Sequence, residues 1–142
     1  MATSALRASV LWPPPGEELN SNNAGLVMRL TYGGRSILFP ADIQDVGFAG
    51  VLRQPQLLRS DVLVAAHHGS SEMLTPKFLA AVSPRCIISS NAARLTNKQR
   101  IFDEMVGKIP LYRTSQYGAI TITIDANGEV TVDTFRKGRV LP

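Results

Sequence analysis

Residues that build metal and redox centres are scarce here: among 142 residues there are one cysteine and two histidines. Cys86 has no partner for an intrachain disulfide, and within the apolar run Cys86-Ile87-Ile88 it reads as a small buried side chain. No apolar run approaches the roughly 20 residues of a membrane-spanning helix. Met1-Ala2-Thr3-Ser4-Ala5-Leu6-Arg7 lacks the apolar core of a secretory signal, so a soluble domain is expected. Charged residues make up 18% against 44% hydrophobic ones, the balance of a folded rather than a disordered chain. The net charge of +4 and the pI near 9.6 permit an acidic or nucleic-acid partner without demanding one. Internal repeats and low-complexity segments are absent, and the length suits one domain with a sizeable core.

Both histidines fall in one stretch, Asp61-Val62-Leu63-Val64-Ala65-Ala66-His67-His68-Gly69-Ser70-Ser71. The unbroken apolar run from Val62 to Ala66 reads as a central strand buried on both faces. It ends in polar groups and a Gly/Ser turn, and α/β proteins build sites at the carboxyl ends of such strands. If the strand stays extended, His67 and His68 point to opposite sides, so that one could face a site while the other supports it. The plainer reading is a pair of hydrogen-bonding histidines in a turn.

Taken in order, residues 1–8 read as a disordered leader, residues 9–136 as the domain and residues 137–142 as a loose basic tail. Ser9-Val10-Leu11-Trp12 is a short strand stopped by Pro13-Pro14-Pro15, and Gly16 to Asn23 is a polar loop. Leu26 to Tyr32 alternates and returns through Gly33-Gly34 to Ile37-Leu38-Phe39, a hairpin. A helix is expected over Asp45 to Leu52, with Asp42 or Asp45 as its N-cap. Thr75-Pro76 starts a second helix that Pro84 ends, and Cys86 to Ser89 is the next buried strand, parallel to the first by the strand–helix–strand rule. A third helix, capped by Thr96 or Asn97, runs to about Val106 with Ile101, Phe102 and Met105 on one face. Leu111 to Arg113 is a short strand, and a hairpin follows over Ala119–Ile124 and Val130–Phe135, turning at Asn127-Gly128 with Ile120, Ile122 and Ile124 inward.

Several of these pieces, in this order, resemble the ComEC family of DNA-uptake competence proteins, and specifically its metallo-β-lactamase-like domain. They are Val10-Leu11-Trp12-Pro13-Pro14, Asn22-Asn23, Ile37-Leu38-Phe39-Pro40-Ala41-Asp42-Ile43, Asp61-Val62-Leu63 with Ala66-His67-His68-Gly69-Ser70, Phe78-Leu79 through Pro84, and Ile87-Ile88-Ser89, followed by Tyr112-Arg113-Thr114 with Gly118. The resemblance implies an αββα sandwich and a zinc- or manganese-dependent hydrolysis of phosphodiesters, with DNA as the polymer. It also implies a parent protein at the bacterial cell membrane, where the domain accompanies a channel. The family's principal motif, His-x-His-x-Asp-His, belongs to the amino-terminal half of that domain and does not occur here, so the likeness is to the carboxyl-terminal half.

By the same resemblance Asp42 corresponds to a metal-bridging aspartate, preceded in the family by glycine where Ala41 stands. His67 and His68 correspond to paired histidines that ligate metal or stabilise the transition state. Where the family often carries Gly-His-Pro, this chain has Asn91-Ala92-Ala93-Arg94-Leu95-Thr96-Asn97, without histidine. Zinc takes about three or four protein ligands, and a two-metal site roughly twice as many. Asp42, His67 and His68 are too few, and Asp61 lies about 20 Å from His67 at roughly 3.3 Å per strand residue.

Other candidates have ordinary readings. Ser70 and Ser71 beside a histidine have no evident orienting acid. Arg94, Lys98, Arg100 and Arg113 could line a phosphate path or form a solvated face. The basic tail Arg136-Lys137-Gly138-Arg139 could meet phosphates, and Trp12 packs under its loop rather than stacking a base. The expectation is an α/β domain with a mixed sheet and about three helices, half of a metallo-β-lactamase-like sandwich. It would be a hydrolase fragment inactive alone, or else a degenerate interaction or DNA-binding module. Half a sandwich leaves an apolar face, to be covered by the missing amino-terminal half or by a second copy in a homodimer.

Overall fold

The computed structural model describes residues 5–21 and 23–141. Six strands form one mixed sheet in the order β1 (Arg7–Trp12), β2 (Val27–Tyr32), β3 (Arg35–Phe39), β4 (Val62–Val64), β5 (Cys86–Ser89), β6 (Leu111–Arg113). The first three pair antiparallel, and β3 to β6 run parallel. Between the parallel strands lie α1 (Asp45–Val51), α2 (Pro76–Val82) and α3 (Asn97–Val106); a single turn, α4 (Thr114–Tyr117), follows β6. A second sheet has the order β7 (Ile120–Ile124), β8 (Val130–Thr134), β9 (Gly138–Leu141), all antiparallel. No described helix is long and apolar enough to cross a membrane.

The helix starts follow side-chain chemistry. Thr75 Oγ1 accepts the Phe78 N–H, with Pro76 at the first helical position. Thr96 and Gln99 form a reciprocal capping box at α3. Phe48, Phe78, Phe102 and Val106 pack these helices onto Val27, Leu38, Leu63 and Ile87 of the sheet. Phe78 and Phe102 are fully buried, each worth about 2–3 kcal/mol of apolar burial. Trp12 closes this layer at one end, its Nε1–H donating to the Asn23 carbonyl at 2.6 Å, as expected for an indole packed under its loop.

The other sheet face presents Ile37, Val62, Cys86, Ile88 and Tyr112 to Val130, Val132 and the three isoleucines of β7. The expected bare face is thus covered in part by the chain's own second, antiparallel sheet. Among the described residues the rest of that face is only partly covered. Val10, 59% exposed, pairs with Met28, and Met28 with Phe39 in the next strand.

Two tight turns join the sheets. Gly33 and Gly34 both have positive φ (55° and 78°), as the hairpin requires. Gly128 (φ 81°) abuts them so closely that a Cβ there would stand 2.5 Å from the Gly33 carbonyl oxygen. Arg35 Nε donates to the Gly128 carbonyl across this junction at 2.9 Å.

Several expectations are corrected. Strand β1 starts at Arg7, so two residues assigned to the leader pair with Thr31 and Leu30, since β2 extends far enough to offer them partners; residues 1–4 of that leader lie outside the described residues. The tail is not loose: Gly138–Leu141 is β9, held by the open edge of β8 and by an Arg139–Asp133 ion pair. The described residues form four α-helices instead of about three, because the single turn α4 is too short to leave a periodic trace. Ile101 is 50% exposed while Phe102 and Val106 face inward. Gln44, not Asp42 or Asp45, is the N-cap of α1, and it offers no side-chain bond.

Burial pushes the Cys86 thiol up from 9.0 to about 11. A folded-state pKa above the unfolded one leaves stability intact below the unfolded value and removes it as pH rises from there towards 11. Wild type is therefore expected to lose about 1 kcal/mol relative to Cys86→Ala between pH 8 and pH 10. Urea unfolding of both proteins across that range measures it, and parallel pH profiles would refute it.

Candidate functional site

Four parallel strands deliver their following residues to one edge of the sheet. Asp42 comes after β3, His67 and His68 after β4, Ser90 and Asn91 after β5, and Thr114 after β6. Ala41 turns the chain there with φ 53°, a left-handed conformation that costs an L-residue roughly 1 kcal/mol and suits glycine.

The histidines do not continue the strand. Residues 66–68 form a 3-10 turn in which His67 (φ 46°, ψ 39°), His68 (φ 55°) and Gly69 (φ 82°) are all left-handed. Two non-glycine residues in that region store roughly 1–3 kcal/mol each, which the surroundings must offset. They do so with a dense set of bonds. Asp42 Oδ1 accepts the His67 N–H at 2.9 Å, and His67 Nε2 meets the Ile43 carbonyl at 3.0 Å. His68 Nδ1 meets the Ser90 carbonyl at 2.6 Å. The His68 carbonyl accepts from Ser89 Oγ at 3.0 Å and Gln99 Nε2 at 2.9 Å. Beneath them the buried Arg113 donates to Ser89 and Asn91 and pairs with Asp103.

These bonds decide the tautomers. A carbonyl only accepts, so the ring nitrogen facing it carries the proton. In the neutral rings His67 keeps a free lone pair at Nδ1 and His68 at Nε2. An imidazole whose second nitrogen is anchored on a carbonyl is how proteins orient a histidine towards a metal or substrate.

The expectation of an extended strand that sends the two rings to opposite sides is corrected: a left-handed turn places them, each against a different depression. His68 shares with Asp42 a cleft of about 240 Å³, floored by Phe39, Val64 and Ala65. Its other side opens towards Arg94 and Asn91. His67 lies in a different depression, beside Asp45 and Glu72. Among the described residues no three His, Cys, Asp or Glu side chains stand close enough to hold a metal ion. Asp42 and His68 are two donors where zinc needs three or more, so the chain by itself does not fit the metal that its resemblance implies.

Other candidates find structural roles. Ser70 is buried, its Oγ accepting the Glu72 N–H at 3.4 Å, and does not address a histidine. Lys98 pairs with Glu72, and Arg113 is interior, so no path of four cations exists. Ser89, Gln99 and Arg113 are the residues that sequence reading missed as supports of His68. The only trace of them was a strand ending in serine and a Thr96–Gln99 capping spacing.

No family model matches the chain. Over 85 residues, or 60% of its length, it is 29% identical to ComE operon protein 3 of Bacillus subtilis (strain 168), of which this covers 11%. Over 82 residues, or 57%, it is 32% identical to competence protein ComA of Neisseria gonorrhoeae, covering 12% of that protein. The chain is related to competence proteins, and it spans about a tenth of the length of each.

Proposed function

We propose that the chain serves DNA uptake as the carboxyl-terminal half of a metallo-β-lactamase-like phosphodiester hydrolase domain, inactive until a second segment completes it. One observation carries the reading: Asp42 and His68 meet in one cleft at the carboxyl ends of β3 and β4, with His68 Nδ1 anchored and Nε2 free. In it Asp42 and His68 are half of a metal site, and His67 locks the turn through Ile43. The similarity to two competence proteins supports the pathway.

The apolar strip from Val10 through Met28 to Phe39 leads to the same cleft, and Val64 borders it. A segment packed on that strip would bring its own side chains to Asp42 and His68. We assign this place to the amino-terminal half of the domain, carried with the membrane channel by the parent protein. A second copy is the competing occupant, and sedimentation of the chain alone separates the two. The shortage of donors favours one further reading, a degenerate module that binds partners without catalysis.

Calorimetric titration with zinc and manganese tests the assignment. Expected is weak binding that disappears in Asp42→Ala and in His68→Ala and persists in His67→Ala. Equal binding by all three variants removes the pair from the site. Binding at micromolar affinity or tighter, in a chain that sediments as a dimer, replaces the amino-terminal half with a second copy.

A further inference from the structure

The opposite ends of the same strands carry a different chemistry. Arg35 opens β3, Arg59 precedes β4, Arg85 precedes β5 and Arg29 reaches across from β2; together they line a cleft of about 370 Å³ with one carboxylate, Asp61. Two of the guanidiniums are held in place. Arg29 donates from Nε to the Arg59 carbonyl at 2.9 Å and from Nη2 to Ser36 Oγ at 3.1 Å. Arg35 is fixed between the Gly128 carbonyl and Asp61 Oδ1. Asp61 is itself occupied, its Oδ2 accepting the Ser36 N–H at 2.9 Å. Arg59 and Arg85 stand exposed at the rim, and neither forms an ion pair among the described residues.

Four guanidiniums facing one carboxylate leave a concave surface with uncompensated positive charge, and concavity focuses that field. We propose that this cleft is a binding site for phosphate groups, separate from the Asp42–His68 cleft. Guanidinium forks match the paired oxygens of phosphate, and a tetrahedral anion offers enough oxygens to engage several forks at once. A carboxylate would engage one fork and leave the others repelling. Ser36 and Ser60, both buried, border the cleft and hold the Arg29 guanidinium, Ser36 Oγ accepting from its Nη2 and Ser60 Oγ from its Nε. No aromatic side chain lines the cleft, so nothing there stacks a base, and recognition stops at the phosphate. The group could arrive as free phosphate or as a phosphodiester in a nucleic-acid strand. The site does not rest on the hydrolase reading, since none of its residues touches Asp42 or His68.

The test compares the full chain with Arg59→Gln/Arg85→Gln and with Arg53→Gln/Lys108→Gln, which removes equal charge from exposed positions elsewhere. Inorganic phosphate is followed through the amide signals of Ser36, Ser60 and Asp61. A labelled single-stranded oligonucleotide of about 20 nucleotides is followed by anisotropy at several salt concentrations. In at least one arm the cleft variant is expected to bind about tenfold more weakly while the control stays within about twofold. If the strand is the source, the slope of log affinity against log salt falls by about 1.4 for the two lost contacts. Loss confined to the phosphate arm identifies a small anion. Equal behaviour of the two variants in both arms overturns the site.

Discussion

Gly128→Ala is expected to lower the free energy of unfolding by about 3–4 kcal/mol, from two separable causes. The first is conformational: φ is 81° at Gly128, and an L-residue there costs roughly 1–2 kcal/mol. The second is steric, because the added Cβ would stand 2.5 Å from the Gly33 carbonyl oxygen. That neighbour is backbone in another tight turn, so relief means parting the two sheets. Gly138→Ala isolates the first cause, since φ is 66° there and a Cβ meets nothing within 4 Å. Urea denaturation should therefore place Gly138→Ala about 1 kcal/mol below wild type and Gly128→Ala well below that. Equal losses would show that the turns are not pressed together. The same substitution is expected to loosen Arg35, whose Nε bond ends on the Gly128 carbonyl.

Arg113→Met is expected to cost about 3 kcal/mol and to disturb His68 without touching it. Arg113 is 2% exposed, and its guanidinium joins Asp103, Ser89 and Asn91. Removing one partner of a buried pair leaves the other uncompensated, and that penalty exceeds the worth of the pair. Asp103 retains a 38% exposed side chain and can rehydrate, which keeps the cost towards the lower end of the range. Ser89 loses its Arg113 partner and with it the fixed geometry of its bond to the His68 carbonyl. The readout is thus double: unfolding free energy, and the ring and amide resonances of His68 and Gly69. Adding Asp103→Leu should restore part of the stability while leaving the resonances displaced. Unmoved resonances in Arg113→Met would limit the arginine to a structural role.

Much of the fold could be read from local signals that tertiary context had no reason to override. Gly33-Gly34 and the Gly128 of Asn127-Gly128 announce hairpins because few residues besides glycine adopt their positive φ, and Thr75-Pro76 and Thr96 announce helix starts because their hydroxyls meet free N–H groups. What failed were features decided by a distant partner. Arg7 and Ala8 become strand because β2 offers them an edge, and Gly138–Leu141 because β8 does. At the site, residue types were legible and their geometry was not. A histidine after a buried strand is visible in sequence, but two successive left-handed histidines depend on Asp42, Ile43, Ser90 and Gln99, all far along the chain. The arginine cleft escaped notice because Arg35, Arg59 and Arg85 are single residues at or just before the starts of separate parallel strands, and Arg29 joins them only through the pairing of β2 with β3.

Strand β3 takes part in two kinds of pairing that cannot form at the same moment. Its hairpin with β2 closes over two residues and belongs to events of microseconds. Its parallel pairing with β4 must wait for the chain to cross back through α1, and β5 and β6 wait in turn on α2 and α3. Loop closure is spent before those contacts reward it, which makes this half of the sheet the slow part of the folding reaction. During that interval Val62–Val64 and Cys86–Ser89 are apolar strands with unpaired edges, and each can join a neighbouring chain as readily as its own. The arrangement that brings Asp42 and His68 together thus also sets an upper limit on the concentration at which the chain refolds cleanly.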